Sequence, residues 1–148
     1  MEFQWSDAWL LMAVSMCGKN SGDLAGIIGV GDMLNHAIFN LDELQDGFDR
    51  LINAGFVSHE DGRYRLTEAA RPLFKQIRRR RLNMFEEVAA LADLLQSMPC
   101  TLQQDENRVL ISQEEYRNAV QKYQDSWNHA RALGCLCLPV TLLVNLIR

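Results

Sequence analysis

Residues 41–70 read LDELQDGFDRLINAGFVSHEDGRYRLTEAA, and the architecture is decided there. Asn40, immediately before this stretch, and Glu43 form a capping box, in which the Asn40 side chain takes the amide three residues on and Glu43 reaches back. Behind the cap, Leu41, Leu44, Phe48, Leu51 and Ile52 recur at spacings of three and four, which predicts an amphipathic helix. Asn53-Ala54-Gly55 ends it, because glycine enters the left-handed region at a helix exit without steric cost. Two strand-like runs follow, Phe56–His59 and Arg63–Leu66, joined by Glu60-Asp61-Gly62. Asp-Gly between β-prone runs is a strong hairpin signal. Thr67 is then placed to cap a further helix.

Working outward, Ser6 is placed to cap a first helix whose run Ala8–Val14 is apolar nearly all round, as befits a central, buried helix. Gly18-Lys19-Asn20-Ser21-Gly22 ends it. A second helix is expected from Asp23, with Leu24, Ile27, Ile28 and Val30 buried. Gly26, Gly29 and Gly31 are expected to weaken it, to allow close packing, or both, and a restart at Asp32 is expected to bury Met33, Leu34 and Ala37. The order is helix, helix, capped helix with an Ala-Gly exit, hairpin, then Thr and another helix. It resembles a winged helix-turn-helix domain of the transcriptional-regulator type over about residues 6–75, and Leu44 to Leu66 carry the likeness. The resemblance implies a mainly α fold, a two-stranded β-hairpin wing and a third helix that reads DNA. Two features depart from it: the segment between the first and third helices is long and Gly-rich, and the third helix is acidic.

Beyond the hairpin, Ile77, Arg81, Met84, Val88, Leu91, Leu95 and Met98 alternate four and three apart. This seam predicts one long helix that packs along another, in the same chain or a partner. Pro72 should distort its first turn, and Met98-Pro99 ends it. Cys100–Ile111 reads as irregular, with Arg108–Ile111 a short strand. Ser112–Glu115 is a second capping box, opening a helix with Tyr116, Ala119, Val120, Tyr123, Trp127 and Ala130 on one face. Leu133–Ile147 is apolar at 11 of 15 positions and is broken by Pro139, too short to span a bilayer. A winged-helix domain at 1–75 and a helical region at 76–148 are therefore expected. The second region is expected to form a symmetric homodimer through Met84, Val88, Leu91 and Leu95, with Leu138, Leu142 and Leu143 of the tail. Packing of the long helix on the Tyr116–Trp127 helix of its own chain is the alternative.

Charge is uneven along the 148 residues, whose net is -4. Residues 1–60 carry 2 basic and 9 acidic side chains, whereas 61–82 carry 8 basic and 2 acidic. One reading makes the wing and the block Arg78-Arg79-Arg80-Arg81 a phosphate-binding surface, with Lys19, Arg50, His59, Arg63, Arg65, Arg78 and Arg79 as candidate DNA contacts. The other is a solvated face paired with Glu86, Glu87 or the acidic first 60 residues. Four consecutive helical positions turn through about 300°, so the block cannot present all its charges to one partner. The third helix offers Asp42, Glu43, Gln45, Asp46 and Asp49, with Arg50 its sole basic residue. Carboxylates facing a phosphate groove are repelled. Two functional classes follow: a non-enzymatic DNA-binding transcriptional regulator, or a winged-helix protein-interaction module with no DNA role.

Composition, at 48% hydrophobic and 23% charged with 9 Gly and 3 Pro, excludes a disordered, collagenous or disulfide-stapled chain. No enzyme, cofactor or metal is expected. His36 and His59 have no Ser, Cys or acid arranged as nucleophile and base, and Gly26-x-x-Gly29-x-Gly31 lacks the strand before it and the Lys-Ser/Thr after it that a phosphate loop needs. His129 with Cys135-x-Cys137 offers three ligands where zinc takes four, so these read as packing residues. The acidic N-terminus lacks the pattern of a secretory leader. Isolated Cys17 and Cys100 suit reduced thiols. A cytoplasmic location without a membrane partner is the expectation.

Overall fold

A computed structural model describes residues 2–98 and 109–132. It is mainly helical, with one small antiparallel sheet. α1 (Trp5–Met16) is the axis: every side chain from Asp7 to Val14 is buried, as an all-round apolar helix requires. Its N-cap is Gln4 and not Ser6, because the Asp7 carboxylate accepts the Gln4 amide at 2.7 Å. Around α1 pack α2 (Leu24–Asn35), α3 (Leu41–Asn53) and α5 (Met84–Gln96).

α2 runs without a restart at Asp32. Asp23 caps it, accepting the Gly26 amide at 2.9 Å, and His36 leaves it in the left-handed region at φ 52°. The glycine run packs closely at Gly29 and Gly31. A Cβ on Gly31 would overlap the Phe39 ring. Phe39 stacks on Trp9 with centroids 3.6 Å apart, and the Trp9 indole N–H donates to the Gly31 carbonyl at 2.9 Å.

α3 begins with the expected capping box: Asn40 Oδ1 accepts the Glu43 amide at 2.8 Å, and Glu43 accepts the Asn40 amide at 2.9 Å. Gly55, at φ 74°, turns the chain out, while the Gly55 and Phe56 amides donate to the Ile52 and Leu51 carbonyls, both at 2.9 Å. This pair of bonds satisfies the last carbonyls of the helix. β2 (Val57–Glu60) and β3 (Arg63–Leu66) then pair antiparallel, Val57 opposite Leu66 and His59 opposite Tyr64. Asp61 and Gly62 both have positive φ, the mirror-image turn that matches strand twist. The sheet has three strands and not two. β1 (Ser21–Gly22), read from the sequence only as a helix exit, pairs with the other edge of β3.

The single long helix is corrected to two. α4 (Arg71–Arg78) stops, Arg81 takes φ 52°, and α5 starts afresh at Met84. Asn83 accepts the Phe85 and Glu86 amides at 3.1 and 3.0 Å, while Glu86 accepts the Asn83 amide at 2.9 Å. This third capping box stabilises a fresh start just where the apolar seam is interrupted by Arg81. Pro72 does not distort α4, because it sits in the first turn where its missing N–H costs nothing. Thr67 precedes a short 3-10 turn over Glu68–Ala70 without capping it, and its hydroxyl donates to the Gly55 carbonyl at 2.5 Å instead.

The seam residues Val88, Leu91 and Leu95 are buried in the same core as Leu10, Phe48 and Ile77. α5 packs on α1 and α4, so this seam is covered within the chain and Met84 is left half-buried. The core therefore continues across residue 75. α6 (Gln113–Ala132), started by Ser112 accepting the Glu115 amide at 3.0 Å, packs on α2 and not on α5. Tyr123 of α6 lies over Gly29, its hydroxyl donates to Asp32, and Trp127 donates to that hydroxyl in turn. Lys122 pairs with Asp23 at 2.7 Å, and Tyr116 donates to the Phe39 carbonyl at 2.9 Å. Leu138, Leu142 and Leu143, like Cys100, Cys135 and Cys137, lie outside the described residues.

Candidate functional site

Arg50 is not on a binding surface. Its side chain is 10% exposed and that of Asp7 is fully buried, and the two form a two-pronged pair at 2.7 and 2.8 Å. The helical turn that aims Phe48 and Leu51 at α1 also carries Arg50 inward. Gly47 makes the approach possible, since a Cβ there would sit 2.8 Å from Leu10. A buried guanidinium held by a buried carboxylate is a packing element, and its expected role as a DNA contact is withdrawn.

The outward side of α3 carries exposed Asp42 and Asp46 and half-buried Glu43, Gln45 and Asp49. Gln45 does what the sequence did not suggest. Its amide N–H donates to the Val109 carbonyl, and its amide oxygen accepts the Ile111 N–H at 2.8 Å. One side-chain amide thus pairs with both the Val109 carbonyl and the Ile111 N–H and fixes residues 109–111 against the helix. Ile111 is buried, whereas Leu110 is 77% exposed. These contacts join positions more than 60 residues apart, so no local pattern announces them.

On the β2–β3 hairpin, Tyr64 stacks on Phe48 at 3.8 Å, with the ring of exposed His59 4.5 Å away. Burial, with the Glu115 carboxylate adding to it, pushes the Tyr64 phenol well above its ordinary range. Arg63 is engaged: it donates to the Ser21 hydroxyl at 3.2 Å and to the Ser21 carbonyl at 3.0 Å, tying β3 to β1. Arg65 is exposed. Lys19 is exposed in the 3-10 turn over Gly18–Asn20, at φ 48°. Cys17 behind it is buried, and burial together with Asp23 pushes its thiol up to about 12, so it is no thiolate nucleophile at neutral pH.

The basic block is split by the end of α4. Arg78 and Arg79 border an open groove of about 890 Å³ together with Arg71 and Lys75, while Ser15, Leu66, Pro72 and Phe74 contribute its less polar lining. Glu68 also borders it and pairs with Arg71 at 2.7 Å. Arg80 and Arg81 stand exposed in the following turn and are not part of the groove lining. The spacing of 71, 75 and 78/79, one face of a helix, was the available signal for Arg71 and Lys75. A second cleft, of about 660 Å³, runs between Ile52, Val57, His59, Thr67 and the Val109–Leu110 segment. Among the described residues no group of three or more His, Cys, Asp or Glu is placed to hold a metal, and no helix is long and apolar enough to cross a membrane.

No family model, curated protein or solved structure matches the chain.

Proposed function

We propose that this chain is a non-enzymatic winged-helix module that binds protein and does not read DNA through its third helix. One observation carries the reading: the outward side of α3 is acidic, and Gln45 holds the chain's own residues 109–111 across it. A helix in a major groove needs free base-reading side chains and compensating cations. Here Arg50 is committed to Asp7, and Gln45 to Val109 and Ile111. The helix order, the Ala-Gly exit and the Asp-Gly hairpin support the winged-helix assignment.

The second reading is a DNA-binding regulator that contacts phosphates only, and what favours it is the gathering of Arg71, Lys75, Arg78 and Arg79 on one groove. Titration with nonspecific duplex at low salt separates the two, because phosphate contacts strengthen steeply as salt falls. The protein-binding reading expects no association at micromolar protein. Association that weakens with salt and is lost on replacing Arg78 and Arg79 would establish the second.

A further inference from the structure

We propose that the α4 groove is the docking site for a short acidic peptide segment carrying an apolar side chain. This rests on the protein-binding reading above. Arg71, Lys75, Arg78 and Arg79 supply cations along one wall, while Leu66 and Pro72 lie among the apolar residues lining the same groove. Arg71, Lys75 and Arg78 lie on exposed positions of α4 and Arg79 at its C-cap, whereas Phe74 and Ile77 of the same helix turn into the core. The wall therefore belongs to a fixed helix and not to a loop. Charge complementarity names the partner: carboxylates meet the guanidinium forks and the lysine, and one apolar side chain covers the lining between them. A phosphate backbone would satisfy the cations but leave that lining wet. The volume of about 890 Å³ falls in the range of about 300–1,000 Å³ typical of pockets for small ligands, which suits a few residues and not a folded domain. Glu68 pairs with Arg71 at 2.7 Å and competes with an incoming carboxylate for that guanidinium.

The test uses the full chain and a fluorescein-labelled peptide of glutamates and aspartates with one leucine and one phenylalanine, read by anisotropy. The probe should bind, and the double variant Lys75→Glu, Arg78→Glu should weaken it by roughly tenfold or more, since each exposed pair contributes modestly and reversal adds repulsion. Glu68→Gln should tighten it by freeing Arg71. A peptide of the same charge without the apolar residues should bind more weakly. Circular dichroism on each variant excludes unfolding as the cause of a loss. No peptide binding together with no duplex binding overturns the groove assignment and leaves the protein-binding reading standing. Peptide binding insensitive to the α4 variants, or equal for the two peptides, also overturns the assignment. Duplex binding that the α4 variants abolish overturns both. A salt-sensitive self-association of the protein alone, broken by the same variants, would make a second copy the occupant and overturn the separate acidic partner.

Discussion

Replacing Arg50 by methionine separates a structural arginine from a binding one. Methionine keeps much of the aliphatic bulk but removes both donors to Asp7, whose carboxylate has no exposed surface and also accepts the Gln4 amide. A buried charge stripped of its partner costs about 3–5 kcal/mol, a large part of the roughly 5–15 kcal/mol that holds a typical domain together. Urea unfolding followed by tryptophan fluorescence should show the midpoint falling sharply with the slope unchanged. Converting both partners, Asp7→Leu with Arg50→Met, should cost much less than the two single changes together, because no uncompensated charge remains. The residual loss reports the helix-start contact of Asp7 with Gln4, of order 1 kcal/mol. A single variant that loses less than about 1 kcal/mol would refute the reasoning, since that is the scale of an exposed pair.

Gln45→Ala should release residues 109–111 from α3, seen as faster amide exchange at Ile111 and new proteolysis near it, with a stability loss of about 1–3 kcal/mol for the unpaired backbone groups. Leu91→Ala should cost about 2–5 kcal/mol, and Leu91→Asp should unfold the chain instead of yielding a folded monomer; sedimentation with circular dichroism distinguishes these outcomes. Burial works to raise the Asp23 carboxyl, but its bonds to Lys122 and the Gly26 amide outweigh that and hold it below the ordinary value of 3.8. A carboxyl depressed in the folded state stabilises the attachment of α6 fully above that ordinary value, and the contribution disappears as pH falls through the lowered one. Acid titration of Trp127 fluorescence should show this step, and Asp23→Asn should remove it.

The two kinds of information divide along the reach of the interactions. The Asn40–Glu43 capping box, the Gly55 exit and the Asp61-Gly62 turn depend on residues within a few positions of one another, so they are legible in sequence and appear in the structure as read. The same local rule, applied at Asn83 and Glu86, would have divided the long helix. The apolar repeat runs on past Arg81 on either side of that break, because burial against α1 produces the same spacing as a coiled-coil seam. Which of the charged positions face solvent and which are committed inside required the tertiary fold. Arg50 and Arg78 are alike as residues, yet one turns inward to Asp7 and the other borders an open groove. Gln45 meets a segment more than 60 positions away. A charge's worth depends on its burial and its neighbours, and neither is a property of the chain until α1 has gathered the other elements around it.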